Sequence, residues 1–347
     1  DRKPTKGEVL DLLARAPAAA GPIGVPGHVR GMASLQARYG HLRWEQVLAA
    51  AEQAARLGVP AARASVRAMA AAPAGTAEAL PSLATGPDGA VLKEGDPIRQ
   101  VELGTSLSRL RTAGPGDFYG GQLSRTLLKD IADAGGTVSA DDLRQVVAVW
   151  RKPITLEFEH ITLMLPETPG GEVFRSLWQS TVAPSGLISS ARTDFGKFAA
   201  TLASAYSKVD PASALNPGAS TGFATVDREA NAVACVVSMQ RPFGAEKLAA
   251  STGILLAVPP VQGGEDQYMA PVVAANFNVK QLFLAGAAAG GAPAPAALAE
   301  ATIAALAGGM RTGDALARAR LFSAGPGGAI WHEPNLDPTL AQEITRR

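Results

Sequence analysis

A segment in the second half of the chain most constrains how this sequence can fold. It begins with a hydroxyl residue, Ser220, and continues with small and β-branched residues to a short polar stretch at residues 228–230. A second apolar run follows at residues 232–239 and contains another hydroxyl residue, Ser238. Two apolar runs joined by a short polar turn are typical of a β-hairpin. We therefore predict strands at residues 223–227 and 232–239, with Ser220 at the entry to the first.

Composition excludes several classes of partner. Lys and Arg total 32 and Asp and Glu total 31, so no positive excess is available for nucleic acid phosphates or anionic lipid. No apolar run reaches the roughly 18 residues of a membrane span, and the chain, which begins at Asp1, shows no signal peptide. The four histidines lack metal-ligand spacing, and the single cysteine, Cys235, lies in an apolar run where burial is expected. We expect no nucleic acid partner, no membrane-spanning segment in this chain and no metal.

Helical and strand patterns occur in blocks along the chain. Apolar spacing predicts helices at residues 7–16, 42–57, 60–72, 101–110, 122–134, 172–180, 197–208, 296–307 and 312–319. Alternating apolar residues predict strands at residues 154–158, 161–165, 272–277 and 281–285. Ser139 is expected to cap a further short helix. Helices in blocks around four or more strands indicate a layered α/β/α arrangement.

Six sequence blocks carry a family resemblance. The first reads Gly-Val-Pro-Gly-His-Val-Arg-Gly at residues 24–31 and is followed by Arg-Tyr-Gly at residues 38–40. Another reads Gly-Pro-Gly-Asp-Phe-Tyr at residues 114–119. The remaining blocks lie at residues 95–103, 134–154, 166–171 and 220–256. In this order they resemble the gamma-glutamyltranspeptidase family of N-terminal-nucleophile (Ntn) hydrolases, over residues 24–172 and 220–320.

The resemblance implies a fold and a division of the chain. Family members are α/β proteins with an Ntn-hydrolase αββα four-layer sandwich, which we expect here. Relatives carry a long segment before the equivalent of Gly24, so part of the amino-terminal segment is expected to be lacking. Residues 1–219 correspond to the large subunit, helical with strands near residues 154–165, and residues 220–347 correspond to the small subunit. Together they are expected to form one intertwined domain.

Candidate catalytic residues also follow from the resemblance. Ser220 corresponds to the nucleophile, normally Thr, which is freed by cleavage after Ala219. Such a residue first attacks the preceding carbonyl to cut the chain, and its new α-amine then acts as general base. Ser238 matches a hydroxyl residue that hydrogen-bonds the nucleophile, and Gly290 and Gly291 match a pair whose backbone amides form the oxyanion hole. A serine entering a strand and a glycine pair in a turn are also common without this chemistry, so the structural interpretation stays open.

The residues that hold glutamate in the family are changed. The run at residues 257–262 replaces an acidic pair and contains no carboxylate. Gln267 and Tyr268 stand where two serines help to bind the α-carboxylate, Gln240 replaces an Asn, and an Arg that pairs with that carboxylate would correspond to Arg2. Losing two charge-assisted contacts removes about 3–6 kcal/mol, or about two to four orders of magnitude in affinity. Efficient gamma-glutamyl transfer is therefore disfavoured.

Two functions stay open. The first is gamma-glutamyltranspeptidase-like amide hydrolysis or acyl transfer on a small-molecule amide or peptide, through a self-processed serine and without a metal or organic cofactor. The second is a catalytically inactive pseudoenzyme that serves as a binding or structural subunit for protein partners. The resemblance implies a periplasmic or extracellular location. A chain cut before Ser220 would favour the first function, and one continuous chain the second.

Overall fold

The structure, a computed structural model, describes residues 7–182, 195–207, 209, 219–261, 264–323 and 329–346. Its helices are α1 (His28–Tyr39), α2 (Trp44–Leu57), α3 (Arg63–Ala70), α4 (Thr76–Ala79), α5 (Pro81–Ala84), α6 (Val101–Ala113), α7 (Pro115–Gly120), α8 (Gln122–Asp133), α9 (Ala140–Arg144), α10 (Pro169–Thr181), α11 (Phe195–Ala205), α12 (Ala294–Thr302), α13 (Thr312–Ala317) and α14 (Pro338–Arg346). Its strands are β1 (Val9–Asp11), β2 (Val59–Pro60), β3 (Pro97–Ile98), β4 (Val149–Arg151), β5 (Ile154–Phe158), β6 (Ile161–Leu165), β7 (Ser220–Val226), β8 (Ala232–Ser238), β9 (Leu248–Ala249), β10 (Ile254–Leu255), β11 (Val272–Asn276), β12 (Gln281–Gly286), β13 (Leu321–Ser323) and β14 (Ile330–His332).

Local sequence signals are confirmed at most of these elements. Strands β5 and β6 occupy the predicted residues, and the β7–β8 hairpin forms with β7 already beginning at Ser220. The Ser139 hydroxyl accepts a hydrogen bond from the Asp142 N–H at 3.1 Å and caps α9. Where a signal depends only on nearby residues, it therefore predicts the element and its bounds.

The helix predicted at residues 7–16 is wrong, because this segment contains β1 and continues without helix. Arg15 and Val25 exchange two backbone hydrogen bonds, of 3.0 and 2.8 Å. These bonds satisfy the backbone groups of Arg15 outside a helix. Pairing with a segment distant in sequence thus outweighs local helical spacing.

The chain forms two compact units. The sheet unit comprises Asp1–Val9, Trp150–Ser238 and Gln262–Arg347, and the helical unit comprises Leu10–Val149 and Met239–Val261. The sheet unit contains the candidate residues Ser220, Ser238, Gly290, Gly291, Gln267 and Tyr268. It is therefore the unit whose packing positions the candidate site.

The sheet unit is built on an antiparallel sheet with the strand order β12-β11-β6-β5. Helices α10, α11 and α12 contribute to the same core, in which Phe174, Phe198 and Leu163 are fully buried. Burial of each such side chain stabilises the fold by about 1.5–3 kcal/mol. The β7–β8 hairpin is a separate two-stranded sheet that contacts β12. This contact brings the start of β7 towards the loop that follows β12.

A buried carboxylate in α12 makes the stability of the sheet unit depend on pH. Glu300 is 1% exposed and accepts a hydrogen bond from the Leu321 N–H at 3.1 Å. Burial raises the pKa of Glu300 to about 7, although Arg318 and Arg320 lower it, while Glu333 raises it. The native state therefore holds a proton between about pH 4.5 and 7 that the unfolded state has released. Stability conferred by this proton is lost as the pH rises through that window.

We expect Glu300→Gln to remove this pH dependence. The loss in the wild type amounts to about 3 kcal/mol between pH 4.5 and pH 7. An uncharged amide carries no such cost, so the variant should gain stability over the wild type as the pH rises. Urea unfolding at several pH values from 4.5 to 8 measures the difference, with exposed Glu229→Gln as the control. Parallel pH profiles for wild type and Glu300→Gln would contradict the assignment.

The helical unit explains why two of the family-like blocks contain their glycines and tyrosine. A Cβ on Gly27 would lie 2.4 Å from the Leu13 carbonyl oxygen, and one on Gly31 would lie 2.1 Å from the Leu12 Cβ. The Tyr119 hydroxyl donates to the Pro26 carbonyl at 3.0 Å. Block 24–31 and block 114–119 are therefore joined by close packing and a hydrogen bond, which accounts for both motifs structurally.

We expect Asp130→Ala to destabilise the helical unit by about 3 kcal/mol or more, because three donors would lose a buried charged acceptor. Asp130 is 5% exposed, and its Oδ2 accepts from the Ser251 N–H, the Thr252 N–H and the Thr252 hydroxyl at 2.9–3.1 Å. The control is Asp133→Ala, which removes an exposed ion pair with Lys129 and should cost about 0.5 kcal/mol. Denaturant unfolding measures both variants. Equal losses would refute a structural role for Asp130.

Candidate active site

The hairpin places the two candidate hydroxyl residues opposite each other. Ser220 is the first residue of β7 and Ser238 is the last residue of β8, and they are cross-strand partners in the antiparallel register. Directly opposed residues project to the same face of a sheet, with Cβ atoms about 4.5–5.5 Å apart. Both side chains are partly buried. The arrangement puts two hydroxyl groups at one end of the hairpin.

The backbone amide of Gly290 contacts the Ser220 side chain. The Gly290 N–H donates to the Ser220 Oγ at 3.1 Å. Gly290 and Gly291 have φ angles of +127° and +71°, in a region that side-chain-bearing residues rarely adopt. Both glycines lie in the loop between β12 and α12. The glycine pair thus permits the loop conformation that aims an amide at Ser220.

A third glycine allows this loop to approach β7. A Cβ on Gly222 would lie 3.1 Å from the Ala287 Cβ and 3.2–3.3 Å from its backbone carbonyl carbon and oxygen. These separations are tighter than ordinary van der Waals contact. The absence of a side chain at Gly222 therefore lets β7 lie close to the loop that carries Gly290.

A carboxylate that sequence reasoning missed also lies at the start of β7. Glu265 begins a 3₁₀ turn over Glu265–Tyr268. Its Oε2 accepts from the Ser238 hydroxyl at 2.5 Å and from the Ala219 N–H at 2.9 Å. The shorter distance is typical of a charge-assisted hydroxyl–carboxylate hydrogen bond. Glu265 therefore joins Ser238 to the residue that immediately precedes Ser220.

The same 3₁₀ turn carries the candidate residues Gln267 and Tyr268. A Cβ on Gly170 would lie 2.7 Å from the Tyr268 carbonyl group, and the Thr168 hydroxyl donates to the Met269 carbonyl oxygen at 3.1 Å. Burial raises the pKa of the Tyr268 phenol, which keeps this hydroxyl protonated at neutral pH. The start of α10 thus packs against the turn and fixes its backbone near Glu265.

The remaining two candidates are Gln240 and Arg2. Gln240 has a φ of +69° and follows β8 by two residues, in the helical unit. Arg2 lies outside the described residues. Their substrate-binding roles stay predictions.

Other features bear on cofactors and accessibility. Across the described ranges, no group of three or more His, Cys, Asp or Glu side chains is arranged to hold a metal ion. Within those ranges, too, no helix combines the length and apolar character of a membrane span. Cys235 in β8 is only partly buried, and burial raises the pKa of its thiol. A raised pKa keeps the thiol protonated, so Cys235 is less reactive than an ordinary exposed cysteine.

Comparison with known proteins identifies relatives of part of the chain. Residues 11–179 match the family model described as Gamma-glutamyltranspeptidase. Scoloptoxin SSD14 from Scolopendra dehaani is 33% identical over 165 residues, covering 42% of this chain and 28% of that protein. Glutathione hydrolase 3 from Arabidopsis thaliana is 31% identical over 165 residues, covering 41% of this chain and 25% of that protein. The aligned part is thus about a quarter of the length of these curated relatives.

Solved structures show the fold over nearly the whole chain. Cephalosporin acylase from Bacillus halodurans superposes with a TM-score of 0.75 at 17% identity, covering 98% of this chain and 77% of that chain. This likeness, at 17% identity, shows a shared α/β fold. The family match spans residues 11–179, just under half of the chain, so that part of the chain is similar to the gamma-glutamyltranspeptidase family.

Proposed function

We propose that this protein is a self-processing amidohydrolase similar to the gamma-glutamyltranspeptidase family, with Ser220 as the nucleophile. One observation carries the proposal: the Gly290 N–H lies 3.1 Å from the Ser220 Oγ, on the residue that opens β7. A backbone amide at that position can stabilise negative charge that develops on or beside the nucleophile. The positive φ of Gly290, which glycine adopts without steric cost, supports this role because it orients the amide towards Ser220.

The proposed chemistry has two stages. In the first, the Ser220 Oγ attacks the Ala219 carbonyl carbon, the peptide C–N bond breaks, and the hydroxyl proton reaches the departing nitrogen. Water then hydrolyses the resulting ester, which frees the Ala219 carboxylate and restores the Ser220 hydroxyl. In the second stage the new α-amine acts as general base while Ser220 attacks a substrate amide. The acyl group leaves with water in hydrolysis, or with an amine in acyl transfer.

The two products of self-cleavage are expected to remain together. Strand β6 belongs to residues 1–219 and β11 to residues 220–347, and the two are paired, for example at Val273 with Met164. The central sheet therefore contains strands from both sides of the bond before Ser220. Both products also contribute to one buried core. We infer that residues 1–219 and 220–347 form tightly associated subunits.

We propose an amide whose acyl group does not depend on the glutamate contacts of the family. Gln267 and Tyr268 replace charge-compensating positions, and residues 257–262 supply no carboxylate. A small-molecule amide or peptide with a less polar acyl group fits these changes. A periplasmic or extracellular location is proposed from the family resemblance alone.

Intact mass and amino-terminal sequencing of the purified protein test the proposal. A fragment whose first residue is Ser220 is the expected result. A single uncut chain would refute self-processing and leave the pseudoenzyme as the function to pursue. A screen of amide substrates on the cut protein then tests turnover.

One observation favours that alternative, a catalytically inactive subunit that binds a protein partner. The hairpin exposes large apolar side chains, with Phe223 at 41%, Val226 at 55% and Val233 at 37%. Among the described residues, β7 pairs with β8 alone. An open strand edge with apolar neighbours is suited to a partner. The mass measurement above separates this alternative from the enzyme.

A further inference from the structure

We propose that Glu265 drives self-cleavage by accepting, through Ser238, the proton that Ser220 loses. The inference rests on the proposed function and extends it to a residue outside the family-like motifs. Glu265 acts on the reacting atoms through Ser238 and is therefore a positioning residue. Its effect is expected on the rate of chain cutting.

The geometry arranges Ser220, Ser238 and Glu265 in that order. The Ser238 hydroxyl donates to the Glu265 Oε2, so the Ser238 oxygen presents acceptor character towards its cross-strand partner Ser220. The Gly290 N–H approaches the Ser220 Oγ as a donor. Enzymes commonly activate a hydroxyl nucleophile through a neighbouring group that is itself oriented by a third group. Here the neighbouring group is a hydroxyl and the orienting group is a carboxylate.

The same carboxylate also holds the residue whose carbonyl is attacked. The Ala219 N–H donates to the Glu265 Oε2 at 2.9 Å. Ala219 is therefore tied to the atom that receives the Ser238 proton. One oxygen of Glu265 thus fixes both the attacked residue and the proton path.

The charge on Glu265 is not needed for these hydrogen bonds. Both bonds go to Oε2, and a glutamine oxygen in the same position could also accept them, although less strongly than a carboxylate. Within the described residues, the buried Oε1 has no hydrogen-bond partner. Burying such an oxygen on a charged group costs desolvation free energy. A carboxylate kept at that cost is expected where it serves proton transfer.

The step balances without any further reactant. The bond between the Ser220 Oγ and the Ala219 carbonyl carbon forms as the Ser220 proton moves to the Ser238 oxygen and the Ser238 proton moves to Glu265. The C–N bond between Ala219 and Ser220 then breaks, and the proton returns by the same path to the Ser220 nitrogen. The products are an ester and a free α-amine, and Glu265 is again a carboxylate. Water hydrolyses the ester as described above.

Glu265→Gln is the decisive variant, because it keeps both hydrogen bonds and removes the base. The rate at which the fragment beginning with Ser220 appears in freshly synthesised chain should fall by about 100-fold or more. Thermal unfolding of the uncut protein should be unchanged or slightly raised in temperature. Glu265→Asp keeps a carboxylate and should cut faster than the glutamine variant.

Controls separate this inference from the proposed function. Glu157→Gln removes a carboxylate that accepts from the Thr162 hydroxyl in the same unit, and it should cut at the wild-type rate. If the wild type cuts and Glu265→Gln cuts equally fast, the role of Glu265 is overturned and the proposed function survives. If the wild type does not cut, both are overturned. Should Glu265→Gln fail to fold, Glu265→Ala takes its place: a folded alanine variant that cuts at the wild-type rate overturns the inference, and one that cuts about 100-fold more slowly supports it.

Discussion

Ser220→Ala is expected to abolish both self-cleavage and amide turnover while the fold survives. The substitution removes the side-chain oxygen to which the Gly290 N–H donates at 3.1 Å. Loss of a serine nucleophile lowers hydrolase turnover by on the order of 10⁶-fold. The cost in folding stability is about 1 kcal/mol, because one hydrogen bond is lost at a partly buried position. Intact mass and a turnover assay measure the two effects, and unfolding measures the third.

Two substitutions control for this result. Ser220→Thr retains a hydroxyl and introduces the residue usual in the family, so cutting should persist. Thr221→Ala removes the adjacent hydroxyl, which points to the opposite face of β7 because side chains alternate along a strand. It should cut normally. If Ser220→Ala is still cut between residues 219 and 220, another residue performs the cleavage.

Gly290→Ala is expected to lower turnover by about 10²–10³-fold, the usual effect of losing one oxyanion donor. A φ of +127° is strained for alanine by about 1–3 kcal/mol. A Cβ there would meet no atom within 4 Å, so the cost is conformational rather than a collision. Relaxation of that strain rotates the peptide and moves its N–H away from the Ser220 Oγ. Turnover of the cut protein, with unfolding as a check of the fold, measures the effect.

Gly309→Ala is the matched control for this substitution. Gly309 also has a positive φ, of +65°, and open space where a Cβ would stand. It follows α12 and does not carry the amide that bonds Ser220. A comparable loss of stability without a comparable loss of turnover is expected. Equal losses of turnover in both variants would mean that strain alone, and not the Gly290 amide, is responsible.

The candidate site was predictable where it follows a motif and unpredictable where it depends on a distant contact. Ser220, Ser238 and Gly290 were all predicted from the family resemblance, and the structure brings these three together. Glu265 was not predicted, because the family pattern places its acidic pair at the positions of residues 257–262, and Glu265 lies beyond them. A signal was available: an acidic pair begins at Glu265, directly before Gln267 and Tyr268.

The secondary-structure predictions show the same division between elements that depend on nearby residues and elements that depend on distant ones. Strands β5 and β6 and the Ser139 cap depend on residues within a few positions, and each was predicted. Strands β13 and β14 have three residues each, which is too short for a periodic pattern, and they were not predicted. The segment at residues 7–16 has helical spacing, but β1 and the pairing of Arg15 with Val25 make it extended.

By itself the sequence determined the α/β class, the β7–β8 hairpin with a hydroxyl at its entry, and a family resemblance carried by six ordered blocks. These features follow from the order and spacing of residues that are close in sequence, and that spacing is the same however the chain folds. Only the tertiary structure decided that the Gly290 amide meets Ser220 across 70 residues and that Glu265 meets Ser238 across 27. Such contacts require β11 and β12 to pack beside the hairpin, a close approach of the loop to β7 at Gly222, and a positive φ at Gly290. No local pattern encodes that closure, because its free energy comes from burial and pairing of segments that are far apart in the chain.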